Sequence, residues 1–322
     1  MYSIIVPVYR NAESLAELIT LLAKVDEEVQ RRFNMPIEAV FVVDGSPDDS
    51  YAILEGLLPS ARFSSQLILH ARNFGSFAAI RTGLKAARGP YFGMVAADLQ
   101  EPPELLVSFI AALTTDECDI IIAKRTQRGD PTASRFFSNM FWAFYRAMVI
   151  PDIPEGGVDL FGCNEAVRKE LVSFDEANTS LVGLVFWLGF RRKEIGYTRL
   201  PRKYGGSAWS LRKKFKYFAD SVFAFTDLPI RLVTLLGVVG LVISVTLGLI
   251  IIVGKLLGDI NVPGYAATVL IVMFFGTLNI TGLGIVGGYV WRTYENTKRR
   301  PLAVVSRGRT FEGSAVNSSN AA

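Results

Sequence analysis

Two stretches without a single charged residue limit what this chain can become. Leu232 to Val253 is one, with 22 residues, and Ala266 to Val290 is the other, with 25. At ~1.5 Å of helical rise per residue, each reaches across a ~30 Å hydrocarbon layer. The mean hydropathy of +0.32 and a hydrophobic share of half the 322 residues reflect this local excess. The stretches predict two transmembrane helices. Pro263 and Gly264 in the short connection predict that the two form a hairpin. Arg212, Lys213, Lys214, Lys216 and Arg231 precede the first helix, and Arg292, Lys298, Arg299 and Arg300 follow the second, whereas the connection sets Lys255 against Asp259. Positive-inside bias then predicts a multi-pass protein of the inner or plasma membrane with both termini in the cytoplasm.

Other features narrow the class. The first residues lack a basic leader and cleavage site, so no signal peptide is expected. Cys118 and Cys163 fit a reducing compartment and suggest no metal cluster. A net charge of +4 argues against nucleic acid as a partner. Seven basic residues and no acidic one lie between Arg199 and Lys216, which points that charge at anionic lipid headgroups.

Ahead of the membrane segments, apolar runs alternate with helical spacing. Ser3–Val8, Glu38–Val43, Leu67–His70, Tyr91–Ala97 and Asp119–Ala123 read as strands, with helices over 11–32, after Gly75 to Arg88 and over 103–113. The strands are apolar on both faces, which predicts a doubly wound parallel sheet. Tyr91–Ala97 ends abruptly in Asp98-Leu-Gln100, followed by Pro102 and Pro103. Ligands of open α/β sheets sit beyond the carboxyl ends of the strands, where Asp98 and Gln100 offer oxygens two residues apart. The plainer reading of Asp98 is a cap on the proline-led helix. Asp44-Gly-Ser46 ends the second strand at the same edge, where an Asx-type turn is the plainer reading. His70, the only histidine, stands at a strand end and reads as structural.

The motifs Ser3-Ile-Ile-Val-Pro-Val-Tyr9, Val43-Asp-Gly-Ser46, Arg72-Asn-Phe-Gly75 and Ala97-Asp-Leu-Gln-Glu-Pro-Pro-Glu104 together resemble glycosyltransferase family 2 with the GT-A (Rossmann-like) fold. Within it the chain is similar to polyprenyl-phosphate glycosyltransferases, through Gly157-Val-Asp159, Trp187-Leu-Gly-Phe190, the stretch from Arg202 to Trp209 and that from Gly288 to Tyr294. The resemblance implies inverting transfer of one sugar from a UDP- or GDP-sugar to an undecaprenyl-type phosphate, for cell-envelope glycans. It implies Mg2+ or Mn2+ at Asp98 and Gln100, with the ion offsetting charge on the departing diphosphate. Pro7, Tyr9, Glu13, Asp44, Ser46, Asn73 and Asp98 match the nucleotide-facing positions. Arg125, Arg128, Arg135, Ser138, Arg202 and Ser207 match those for the acceptor phosphate, which guanidinium forks suit. Asp159 matches an acidic residue facing the sugar or acceptor, and Arg125 counts with it among the catalytic positions. Relatives also assemble through their membrane helices.

The expected organisation is a cytoplasmic GT-A domain over 1–208, juxtamembrane interfacial helices over 209–228, membrane helices within 229–294 (about 232–253 and 266–290) and a cytoplasmic tail over 295–322, disordered from Ser306. Phe215, Phe218 and Phe225 interleaved with lysines suggest a helix in the headgroup layer, with a core helix as the alternative. Three positions depart from the family pattern: Val43 and Ala96 stand where carboxylates are usual, and Ala208 where a lysine is frequent. They motivate a competing reading, a non-catalytic membrane subunit that binds a nucleotide or lipid phosphate. A processive polysaccharide synthase is disfavoured, because its Gln-x-x-Arg-Trp element is missing.

Overall fold

Tyr2–Val8 (β1) and Ile37–Val43 (β2) are buried on both faces, as unbroken apolar runs require in the middle of a sheet. The computed structural model describes residues 1–127, 143, 145–147, 150–154, 158, 160–176, 179–204, 211–257 and 264–313. β1 lies between β2 and Tyr91–Met94 (β4), with Ser64–His70 (β3) beyond β2, all parallel. Helices Leu15–Phe33 (α1), Ser50–Leu57 (α2), Ser76–Ala86 (α3) and Pro103–Leu113 (α4) make the crossovers. Alternation along β1 sends Ile4, Val6 and Val8 into a core with Leu18 and Leu22 of α1 and Ile110 of α4. Ile5 faces the opposite core with Ala79 and Leu84 of α3. The result is a sheet between two helical layers.

Past β4 the sheet is mixed, which corrects the expectation of a parallel one. Its order is β7-β5-β6-β4-β1-β2-β3-β8, with β5 at Ile120–Gln127, β6 at Leu160–Asn164, β7 at Arg192–Thr198 and β8 at Val305–Phe311. β6 runs antiparallel between β4 and β5, while β7 is parallel to β5. An apolar five-residue run suits either direction, so only the path of the chain decides. β6, β7, α2 and the helices Glu165–Ser173 (α5) and Leu181–Trp187 (α6) had no clear signature in sequence, and β4 stops at Met94 rather than Ala97.

β8 corrects the expectation of disorder from Ser306. It pairs antiparallel with β3 from Ser65↔Phe311 to His70↔Val305. Its residues are exposed up to Phe311, so ladder hydrogen bonds hold it in place of a buried side. Composition reports burial and is blind to that kind of pairing.

Three helices follow the domain: Leu211–Phe225 (α7), Leu228–Leu256 (α8) and Tyr265–Thr297 (α9). Phe218, Val222 and Phe225 of α7 pack into the core beside α6, where a Cβ on Gly183 would lie 2.3 Å from the Phe225 ring. This half of α7 is therefore a packed helix rather than a free interfacial one. Its other side meets α9 through an Asp220–Arg292 ion pair at 2.7 Å and a Phe223–Tyr289 ring contact at 5.1 Å. Phe218–Phe225 and the first part of α8, Leu228–Gly240, meet at a 75° bend. Ile271–Thr297 within α9 is long and apolar enough to cross a bilayer, with a mean hydropathy of 1.7. Leu235, Val242 and Leu249 of α8 and Phe274, Ile280 and Leu283 of α9 are all exposed. The two helices touch where Phe275 approaches Gly240.

One buried polar network ties together the amino-terminal parts of β1, β2 and β3. The fully buried Glu38 accepts from Ser3 Oγ and Arg88 N at 2.9 Å, and from Gln66 Nε2 at 2.9 Å and Arg88 Nε at 2.6 Å. Burial pushes its carboxyl up, but these hydrogen bonds together outweigh burial and hold it below the usual range. A depressed carboxyl contributes stability above its unfolded value of ~4.3, lost as pH falls through the folded value. Glu38→Gln should cost about 2 kcal/mol at pH 7 in urea unfolding of the detergent-solubilised chain, because the amide cannot accept four donors. The gap should close as pH drops below about 4. A pH-independent gap would mean that the carboxylate's charge is not what stabilises this corner.

Candidate active site

The carboxyl ends of β1 to β4 open on one edge, and hydrogen bonds stitch the loops there together. Arg10 N donates to Ser46 Oγ at 2.8 Å, Ser46 Oγ to Asp48 Oδ1 at 2.6 Å, and Ala12 N to Asp48 Oδ2 at 3.1 Å. These bonds join the loop after β1 to the loop after β2. Ser14 Oγ donates to the Ala97 carbonyl at 2.6 Å, which pins the entry of α1 to the chain leading into Asp98. Pro7, Tyr9, Glu13, Asp44, Ser46 and Asn73 thus come from three strand ends to one rim.

Asp44 is 2% exposed and its oxygens are already used. Oδ1 accepts from His70 Nδ1 and from Phe74 N, both at 2.8 Å, and Oδ2 from Gly75 N at 2.7 Å. A carboxylate only accepts, so His70 carries its proton on Nδ1, and a neutral ring takes the Thr82 hydroxyl at Nε2, 2.9 Å away. The carboxylate sits at the amino end of α3, where the helix dipole favours an anion. Burial would raise the Asp44 carboxyl, but the bonds from His70, Phe74 and Gly75 outweigh it and hold it below the usual range. Gly45 has φ +55, and a Cβ there would lie 2.3 Å from the Arg72 carbonyl carbon. Only glycine lets the loop after β2 lie against the Arg72–Asn73 backbone. Asp44 therefore shapes the rim from within.

Asp98 and Gln100 flank Leu99, whose φ of 59 is the left-handed turn that a leucine rarely adopts. The cap position of α4 is Pro102 and no side chain bonds there, so Asp98 does not cap the helix. Asp98 Oδ2 instead pairs with Arg202 Nη2 at 2.7 Å. Asp98 Oδ1 is buried and has no hydrogen-bond partner among the described residues. Gln100 Oε1 accepts from Arg199 Nη2 at 2.6 Å, and Gln100 Nε2 donates to the Leu200 carbonyl at 3.1 Å. Leu200 N returns a bond to the Gln100 carbonyl at 2.8 Å. Further along, Lys203 Nζ and Tyr204 Oη both reach Glu17 Oε2, at 2.7 and 3.0 Å. The chain after β7 is thus strapped across the edge of β4 onto α1.

Sequence reasoning missed Arg199. Its one signal was membership of the basic run, there assigned to lipid. Arg125 stands near the carboxyl end of β5, opposite Tyr197 of β7. Arg128, Arg135, Ser138, Asp159 and Ser207 lie outside the described residues. Among the described residues no three His, Cys, Asp or Glu cluster as a self-sufficient metal site. The open, buried Asp98 Oδ1 nonetheless fits a hard divalent ion that takes its other ligands from phosphate oxygens and water, as magnesium does.

The family model for glycosyl transferase family 2 matches residues 3–173, more than half of the chain. The chain belongs to glycosyltransferase family 2 and is a glycosyltransferase enzyme. It is 32% identical over 301 residues to a putative glycosyltransferase, CsbB, of Bacillus subtilis strain 168, covering 94% of this chain and 90% of that one. It is 27% identical over 306 residues to a prophage bactoprenol glucosyl transferase homolog of Escherichia coli K12, covering 95% and 98%. The bactoprenol glucosyl transferase of Shigella phage SfII is similar to the same degree, at 27% over 306 residues, covering 95% and 97%.

Proposed function

We propose that this enzyme moves one sugar from a UDP- or GDP-linked donor to a polyprenyl phosphate, with inversion, at the cytoplasmic membrane face. The observation that carries the reading is the path of the chain. Residues 199–204 hold Asp98 and Gln100, and α7, which follows, packs on the membrane-length α9 through Asp220–Arg292. A donor rim joined so directly to an apolar helix pair suits an acceptor that is itself a lipid. The likeness to bactoprenol glucosyl transferases over nearly the whole chain supports the same acceptor class. In this reading α8 and α9 form the transmembrane hairpin, and the 75° bend turns the chain from the packed α7 into the first of them.

Each group then has a task. The stitched loops of β1, β2 and β3 cradle the nucleotide, with Asp44 fixing the Asn73–Gly75 turn from behind. Asp98 and Gln100 would hold a magnesium or manganese ion, which supplies Lewis-acid stabilisation of the departing diphosphate. The acceptor phosphate is already anionic, so the chain needs a cationic cradle that aligns it more than a strong base. Arg125 and Arg202 serve there, with Arg128, Arg135, Ser138 and Ser207 as further members, and Asp159 faces the sugar or acceptor. Copies of the chain assemble through the membrane helices.

The test is transfer by the purified, detergent-solubilised protein from radiolabelled UDP- and GDP-sugars to undecaprenyl phosphate, with magnesium, manganese or chelator. Label extracted into organic solvent only when metal is present is the expected result, and the productive donor names the sugar. No lipid-linked label from any donor, in folded protein, would favour a non-catalytic binding subunit, with Val43 and Ala96 as its marks.

A further inference from the structure

Asp98 and Gln100 are held by two guanidinium groups from one short segment, three residues apart. Both contacts fall on the oxygens that a donor complex would need. Arg202 takes one Asp98 oxygen and leaves the other buried and open, while Arg199 takes the only carbonyl oxygen of the Gln100 amide. The fit is unfinished on the arginine side too. Among the described residues, Arg199 Nε is buried and has no hydrogen-bond partner, although a buried donor normally finds one. A guanidinium with an unspent N–H beside a carboxylate with an unspent oxygen makes a pair that a phosphate and a cation would each complete.

We propose that Arg199 and Arg202 are the site's internal counter-ion. They neutralise the Asp98–Gln100 turn in the empty enzyme and are exchanged for the donor complex. The inference rests on the reading of this edge as the donor site. Asp98 cannot keep Arg202 at 2.7 Å and also ligate a divalent cation without setting like charges side by side, so it gives up one for the other. Arg199 then turns its fork from Gln100 to the diphosphate, for which the planar guanidinium is the better match. This makes Arg199 a donor-binding residue, in addition to those matched by family likeness. The segment can turn its two guanidinium groups without leaving the sheet, because the Leu200–Gln100 bonds hold its backbone independently of them, while Lys203 on Glu17 is an exposed contact of little individual worth.

Binding measurements on the full-length protein in detergent test this without turnover. Free Mn2+ is followed by its paramagnetic resonance signal, alone and with UDP or GDP, for wild type, Arg202→Gln and Arg199→Gln. Removing the competing charge should tighten Mn2+ binding in Arg202→Gln by about fivefold, the size of a partly exposed ion pair. Arg199→Gln should weaken UDP or GDP binding in chelator by at least that factor. Unchanged or weaker Mn2+ binding in Arg202→Gln, with an unaltered melting curve, would overturn the exchange. Should Arg202→Gln not fold, Arg202→Met removes the same charge while keeping an apolar stem of similar length, and must still bind Mn2+ more tightly than wild type. A wild type that binds neither nucleotide would sink the donor-site reading instead, whereas the Mn2+-alone arm reports on the exchange in either case.

Discussion

Asp98→Asn should abolish lipid-linked sugar transfer while leaving the chain folded. The loss in turnover is expected at about 10²- to 10³-fold, the scale of removing one group that stabilises developing charge. Asparagine keeps the size and one acceptor oxygen, so the left-handed turn at Leu99 and the packing of Leu99 against the β1 side of the sheet persist. What disappears is the anion. Arg202 loses this ion pair but is partly exposed, with 29% of its side chain accessible, so the stability cost stays near 1 kcal/mol. Transfer assays beside thermal unfolding of the same preparation separate the two effects. Full activity in Asp98→Asn would remove this residue from the chemistry altogether.

Asp44→Asn should do the reverse, damaging the fold first and activity as a consequence. Three donors converge on the Asp44 carboxylate: the His70 ring and the amides of Phe74 and Gly75. An asparagine can satisfy at most the donors on its single oxygen, and its NH2 group would then confront a buried N–H. Leaving buried donors unpaired, next to a helix amino end that has lost its anion, should cost about 3 kcal/mol in denaturant unfolding. The Asn73–Gly75 turn should loosen with it, raising KM for the nucleotide sugar more than it lowers kcat. A variant of wild-type stability with weakened nucleotide binding would instead mean that Asp44 meets the nucleotide directly.

These two aspartates show how far sequence carries. Both end an apolar strand in a polar turn, and both match positions that face a nucleotide in the family pattern. Nothing local separates them. The difference comes from residues 26 to 104 positions away: His70 reaches one, and Arg202 the other. His70 was legible as structural because a lone histidine at a strand end has little else to do, but its bond to Asp44 was not. Arg199 was hidden by its company, since a basic run next to an apolar helix looks the same whether it faces lipid or folds back over a sheet. β8 was hidden for a related reason. Val305–Phe311 buries almost nothing, so hydropathy could not announce a strand held by its backbone.

The sequence alone was enough for the apolar strands, the helices between them, the placing of Asp44 and Asp98 in the turns that follow strands, and two uncharged stretches of membrane length. All of these follow from local periodicity, and a residue's neighbours in the chain suffice to set it. Tertiary structure decided the direction of β6, the return of the tail to the edge of β3, the burial of Asp44 and the pairing of Asp98 with Arg202. Those depend on which distant segments meet. Contact between segments far apart in sequence is settled by packing and hydrogen-bond satisfaction over the whole chain, which no window of residues contains.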